Sequence, residues 1–560
     1  MQTNKTSHFR KLLSLRTDSD LTFFAFWLFF LLGLTSNYSW ALYADDSKSI
    51  WMTPLLTAFL SLCGAVPVWI LQKLHIRQPR IIYIGIIAAI LILLTVTDGF
   101  LYVNFSRILN QDIVDIIAET NANESAEFIH TYLSGPSFVI IAGAIALVSV
   151  CWILACWLSR HRAASFIGLL LSLGGLGGWG WCVYGYVRYC NGHSIPQYTS
   201  LTRCLYSGYI LKTRIDQITL LEDKCRAVIQ HPRAISANRN LSIILVIGEY
   251  HSAFHTPAYG YRLNTFPCLE GLADSAASGR ITWYKDIVSV DDHTHGAMKS
   301  IFSMAHYEDF ASAPLFPAIF KSLGYHTALY DNQYLAGEGI SFMSDESLSQ
   351  LLYDYRNKST MTDEDLVESV DLTTEGNSLT IIHLMGSHYT YASRYPHDRF
   401  SLFTSKDYPS VPVGTGTILA HYDNSLAYTD HILASLISRL SGKEAAIIYL
   451  SDHGEDLFEQ NGFMGHGNAA YLPEPAYQLR VPAFIWLSEK YIASHPDKAD
   501  MTVQRSGFLG MSDDIGHLLL DIAGEEVPDS TRSIINQKYK PPHRIVLHSL
   551  DFDNATGISF

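Results

Sequence analysis

Positive charge is scarce in this chain. Its 39 Lys and Arg stand against 53 Asp and Glu, a formal net charge of -14, which excludes a nucleic-acid partner needing a basic surface. Internal repeats and low-complexity tracts are lacking as well, so neither a solenoid nor a linker-like chain is indicated. Cysteine nearly disappears after residue 240, where Cys268 stands alone. Of the 8 cysteines, Cys63, Cys151, Cys156 and Cys182 fall in apolar segments and read as small buried hydrophobes. Cys190, Cys204 and Cys225 lie between these regions. A bridge among them stays open, because connectivity cannot be deduced from sequence.

Polar residues are almost absent from five stretches, near Leu21–Tyr38, Trp51–Leu71, Ile81–Tyr102, Ser137–Leu158 and Ser165–Val187. Each has about the 17 to 25 residues that cross a bilayer as a helix. Buried globular helices would need polar faces that these stretches lack. The length of the first, and the four that follow, argue against a cleaved signal peptide. Lys5, Arg10, Lys11 and Arg16 precede the first span, Lys73, Arg77 and Arg80 follow the second, and Arg160 and Arg162 follow the fourth. Basic residues favour the cytoplasmic side, so the N-terminus is expected inside and everything after the fifth span outside. The layout expected over the 560 residues is a cytoplasmic N-terminus at 1–19, a five-helix transmembrane domain at 20–190, a bridging segment at 191–240 and one large α/β domain at 241–560.

Within the last of these, Ala445–Leu450 reads as a buried strand that delivers Asp452 and His453 to its end, with Gly454 allowing a sharp turn. Oxygen and nitrogen ligands of this kind suit a zinc-like ion, whereas an isolated Asp-His pair is as often a helix cap. Leu245–Gly248 followed by Glu249, and Leu379–Met385 followed by Gly386-Ser387-His388, repeat the pattern. Parallel strands share one carboxyl edge, so Glu249 and Asp452-His453 can converge there. Gly465-His466-Gly467 adds an imidazole on a loop that can approach closely. Thr294, in Asp291-Asp292-His293-Thr294-His295-Gly296 before a helical stretch at Ala297–Met304, is the candidate nucleophile. A threonine hydroxyl reacts once a base or metal promotes its deprotonation. An ordinary N-cap threonine is the other reading, and this stretch alone does not choose between them.

Several longer motifs accompany these residues. They are Gly248-Glu249 with His255 and Tyr259-Gly260-Tyr261, Thr294 with Lys299–Ser303, His383–His388 with Arg394-Tyr395-Pro396, Tyr422–Ser425 with Tyr428-Thr429-Asp430, and Ser451–Glu455 with Gly465–Gly467. In order and spacing the set resembles the membrane-anchored, zinc-dependent phosphoethanolamine transferases of Gram-negative bacteria, within the alkaline phosphatase and sulfatase superfamily. The resemblance implies a multi-domain inner-membrane protein, with an N-terminal five-helix transmembrane domain and a C-terminal α/β sulfatase/alkaline-phosphatase-like domain in the periplasm. It implies Zn2+ on Glu249, Thr294, Asp452 and His453, and a covalent intermediate on Thr294. His388 and His466 would stabilise phosphoryl oxygens or shuttle protons, with His255 binding substrate. Phosphatidylethanolamine would be the donor, and lipid A or the lipopolysaccharide core the acceptor.

Asn110–Phe128, between the third and fourth spans, is acidic, amide-rich and amphipathic, and resembles the family loop that holds the lipid donor. Thr120 and Glu124 match there on one helix face, where a carboxylate can pair with an ammonium; a solvated acidic face is the plain alternative. The chain departs from its relatives at Ile116, where they have asparagine, at Ser252, where many have arginine, and at Leu335-Ala336-Gly337, where some carry lysine. It also lacks their several disulfides. These departures leave the acceptor open. Phosphoglycerol transfer or hydrolysis at the same metal site is the alternative reading, and a non-enzymatic membrane-tethered binding module is disfavoured because every inferred ligand is present.

Overall fold

The structure, a computed structural model, describes residues 18–43, 47–105, 108–109, 113–114, 117, 137–189, 199–235, 240–273, 279–335, 341–460, 462 and 464–557. It divides into two compact units, Met1–Ile215 and Asp216–Phe560. The division falls inside a long helix, within the stretch expected to bridge the two domains.

The first unit contains helices α1 (Asp18–Tyr43), α2 (Ser47–Lys73), α3 (Arg77–Phe105), α4 (Ser137–Leu158) and α5 (Arg162–Tyr189). Where five spans were expected, four helices among the described residues are long and apolar enough to cross a membrane: Leu21–Tyr38, Met52–Lys73, Arg77–Tyr102 and Arg162–Gly180. In α4 the qualifying apolar stretch is the shorter Ala146–Leu158. Of the α1 window 61% is buried, against 22% in α3 and α5, so α1 is the axis of the bundle. Its Phe24, Trp27, Leu28 and Phe29 pack inward, while Ile81, Ile82, Leu93 and Phe166 of the outer helices are exposed. Such apolar outer faces suit lipid rather than water.

Helix α6 (Ser200–Ile229) leads into the second unit. There an eight-stranded sheet runs in the order β10-β2-β9-β6-β1-β5-β3-β4. The strands are β1 (Ser242–Gly248), β2 (Arg280–Val288), β3 (His326–Asp331), β4 (Tyr355–Arg356), β5 (Ser378–His383), β6 (Ala445–Ser451), β9 (Arg480–Leu487) and β10 (Leu509–Met511); the small hairpin strands β7 (Asp456–Leu457) and β8 (Met464–Gly465) pair separately. All residues of β1 and β6 are buried. Ile243, Leu245 and Ile247 of β1 face one apolar cluster and Ile244 and Val246 the other, which is why the strand reads as a continuous apolar run. Helix α7 (Thr294–Phe302) packs Met298, Ile301 and Phe302 on the first face. On the second, α8 (Val413–Arg439) packs Tyr422, Leu426 and Leu433.

The sheet is not wholly parallel. β9 runs antiparallel to both β6 and β2, yet β1, β5, β6 and β3 stay parallel and keep their carboxyl ends on one edge.

Cys204 and Cys225 do not bridge. They lie on one helix, roughly 30 Å apart at 1.5 Å per residue, and the buried Cys225 Sγ accepts the Leu315 N–H. Cys190 lies outside the described residues.

Glycine sets the spacing of α2 and α5. A Cβ on Gly175 would fall 2.0 Å from the Leu55 carbonyl oxygen, so only glycine allows this approach. Gly175→Leu should push the helices apart at a cost of about 1–3 kcal/mol and lower the thermal midpoint of the full-length protein in detergent. Gly85→Leu is the control, since a Cβ there meets nothing within 4 Å.

Candidate metal centre

Gly248 of β1 pairs with Ser451 of β6, so Glu249 and Asp452 leave adjacent strand ends at the same level. Ligand atoms from Glu249, Asp452 and His453 lie within 4.8 Å of one another, and all three residues are buried. His453 Nε2 is 3.3 Å from Asp452 Oδ2 and 3.7 Å from Glu249 Oε1. Its Nδ1–H donates to the Gly454 carbonyl at 2.8 Å. A carbonyl can only accept, so Nε2 keeps its lone pair towards the carboxylates. Asp452 Oδ2 is buried without a hydrogen-bond partner. A bare carboxylate oxygen and an imidazole lone pair converging on one point are the donor set a zinc ion takes.

The two carboxylates are held in opposite states. Burial pushes Glu249 up, but the His383, His453 and His388 imidazoles around it prevail and hold it at about 2. Burial and the Glu249 charge push Asp452 well above the ordinary carboxylate range.

Thr294 reaches this group from the loop after β2. It is the first residue of α7, whose N-cap is His293, so the cap reading is set aside. Its hydroxyl donates to Glu249 Oε1 at 2.9 Å and lies 3.3 Å from His453 Nε2. A helix N-terminus favours negative charge developing on that oxygen.

His466 is brought to the same place. Its Nδ1 is 2.8 Å from Glu455 Oε2, while Glu455 Oε1 accepts from Tyr391. Its ring lies 4.5 Å from that of His453. His388 reaches the group through a ring contact with Tyr250. His255 does not join them as a free substrate ligand. Both its ring nitrogens face carboxylates, Asp423 at 2.6 Å and Glu459 at 3.4 Å. Burial alone would lower its pKa, but these carboxylates raise it to about 9, so it is a charged tie between α8 and the loop after β7. Thr120 and Glu124 lie outside the described residues.

Three residues escaped the sequence reading. His383, fully buried at the end of β5, has Nδ1 at 3.0 Å from Asp331 Oδ1 and Nε2 at 3.6 Å from Glu249 Oε2. Gln333 donates to Glu249 Oε2 at 2.6 Å. Asp331 was within reach, because it ends β3 on the same sheet edge as Glu249 and Asp452. Gly386 shows why its motif needs glycine: its φ is 51°, and a Cβ would stand 2.9 Å from the Glu249 backbone N and O. Asp291, Asp292 and His293 form a second set able to hold an ion. There Ala469 N–H donates to Asp292 at 2.7 Å, and His293 Nδ1 is 2.8 Å from the other Asp292 oxygen.

Comparison with known proteins places this architecture. Over 469 residues the chain is 24% identical to the phosphoethanolamine transferase EptC of Escherichia coli O18:K1:H7 (strain RS218 / NMEC), covering 79% of this chain and 80% of that one. The crystal structure of the C-terminal periplasmic domain of E. coli EptC in complex with Zn shares the fold, with a TM-score of 0.51 at 24% identity over 57% of this chain and 95% of that one. The integral membrane lipooligosaccharide phosphoethanolamine transferase A of Neisseria meningitidis matches 91% of this chain and 97% of its own, with a TM-score of 0.58 at 17% identity. The sulfatase family profile matches residues 242–525, about half the chain, and the protein belongs to that family.

Proposed function

We propose that the protein transfers phosphoethanolamine from phosphatidylethanolamine to lipid A or the lipopolysaccharide core, through a covalent intermediate on Thr294. It acts in the inner membrane with its second unit in the periplasm. One observation carries this reading: the Thr294 hydroxyl is 2.9 Å from Glu249 Oε1 and 3.3 Å from His453 Nε2, at the mouth of a buried donor set. Relatives named phosphoethanolamine transferase that align over 79% of the chain support the reaction class. The lipooligosaccharide enzyme of the same overall fold supports the acceptor class.

Glu249, Asp452, His453 and the Thr294 oxygen would hold zinc, which supplies positive charge that eases deprotonation of the hydroxyl. In the first step the Thr294 oxygen attacks the donor phosphorus. The bond from phosphorus to the diacylglycerol oxygen breaks, and that oxygen takes a proton. In the second step an acceptor oxygen attacks the same phosphorus and Thr294 recovers its proton as it leaves. His466, anchored through Nδ1 to Glu455, and His388 stabilise phosphoryl oxygens or carry these protons.

Thr294→Ala should abolish transfer while zinc stays bound, and intact-mass analysis of the full-length protein incubated with donor should show no phosphoethanolamine adduct. An active variant rules out the covalent route. Lipid analysis of the modified acceptor separates this reading from phosphoglycerol transfer and from hydrolysis.

Asp452→Ala removes an anionic ligand, so zinc content should collapse and activity fall by about a hundredfold or more. Chelation should inhibit the wild type to the same extent. Full activity in metal-free protein refutes the metal assignment.

Glu124→Gln keeps shape but removes charge. Turnover of phosphatidylethanolamine should fall, with activity on a small soluble headgroup analogue largely kept. Equal loss on both substrates indicates a folding defect instead, and no loss on either leaves Glu124 on a solvated face.

A further inference from the structure

Tyr250 follows Glu249 directly and takes no part in the chemistry set out above, yet its ring stands among the imidazoles of the site. Ring centroids are 4.9 Å apart for Tyr250 and His388, nearly stacked at 26°, 4.3 Å for Tyr250 and His466, and 5.0 Å for Tyr250 and His453. The residue is 7% exposed. Three histidines from three separate segments therefore share one flat neighbour.

The backbone pays for this placement. Tyr250 has a φ of 57°, in the left-handed region that a bulky residue rarely adopts. The kink is held from both sides by one hydroxyl: Tyr422 of α8, fully buried, donates to the Tyr250 carbonyl at 2.5 Å and accepts the Ser252 N–H at 2.9 Å. A strained residue so firmly held beside a reactive group points to function rather than to accident. Without the kink, the chain leaving β1 would continue in an extended course and carry the ring away from the histidines.

We propose that Tyr250 is a positioning residue, a rigid aromatic spacer that fixes the His388 and His466 imidazoles relative to His453 so that both face the phosphoryl group carried by Thr294. The inference rests on the proposed transfer reaction for its consequence but not for its geometry. Imidazoles free to rotate or to close on each other would meet phosphoryl oxygens at the wrong distance, and misplacement on that scale slows chemistry more than it weakens binding. A flat ring is what the role needs.

The test uses full-length protein in detergent with zinc loaded. Tyr250→Leu should retain zinc stoichiometry and the KM for phosphatidylethanolamine, and lose kcat by about tenfold or more. Tyr250→Phe should restore kcat. In His388→Ala/His466→Ala protein, adding Tyr250→Leu should cost little further, since Tyr250 acts through those rings. Independently of any activity, diethyl pyrocarbonate should modify His388 and His466 faster in Tyr250→Leu than in wild type or Tyr250→Phe, as read by peptide mass spectrometry. Zinc loss in Tyr250→Leu, full additivity with the histidine variants, or unchanged labelling overturns the spacer role. A wild type that modifies no acceptor, with labelling that still responds to Tyr250→Leu, overturns the transfer reading and leaves the spacer standing.

Discussion

Two carboxylates buried at neighbouring strand ends are the constraint on which the catalytic unit depends. Glu249 and Asp452 are 1% and 0% exposed, and like charges so close in a low dielectric cannot both ionise unassisted. The protein meets this by asymmetry. Gln333, Thr294 and the Asp331–His383 pair all favour the Glu249 anion. Asp452 Oδ2 has no such partner and sits against His453. One proton or one cation would complete the site, and a bound metal would displace the proton.

The surrounding fold can be understood as the means of enforcing that proximity. Full burial of β1 and β6 fixes their register from both faces, and the register brings Glu249 level with Asp452. Left-handed backbone at Tyr250 and Gly386 then turns the chain at the strand ends, so that loops from β1 and β5 press together, with Ser387 N–H donating to the Glu249 carbonyl at 3.1 Å. Tyr422 ties the first of these turns to α8. Such tight turns rest on strands that are packed on both faces along their whole length.

This division explains what could be read from sequence. Glu249 and Asp452-His453 could be singled out because each closes an apolar run beside a glycine, a purely local pattern. Thr294 was legible as a candidate nucleophile, but its contact with Glu249 was not, since it depends on a distant chain segment. Gln333 was invisible: an uncharged amide acquires its role only by reaching a carboxylate from another strand. His383 lost attention to His388, which stands just past a glycine, although His383 is the one that contacts Glu249. The reversed direction of β9 leaves no local mark, because it is fixed by pairing with β6 and β2. His255 is a motif residue whose two ring nitrogens both face carboxylates, a pairing with distant segments that the motif itself does not announce.

The distinction between scaffold and site extends to the first unit. Asp98 and Arg203 are 1% and 3% exposed and meet at 2.5 Å. The other Asp98 oxygen accepts the Leu109 N–H at 2.8 Å, and Arg203 Nε donates to the Leu109 carbonyl at 2.9 Å. Every charge there closes on a protein partner, so the network secures α3, the turn after it and the start of α6 without requiring a ligand. Asp430 behaves alike in the second unit, where its two oxygens accept the Cys268 and Leu269 N–H groups. Among these buried charges it is Asp452 whose outer oxygen is left bare beside an imidazole lone pair and a hydroxyl. Burial of charge is common to scaffold and site; what marks the site is that the protein leaves one charge for something else to complete.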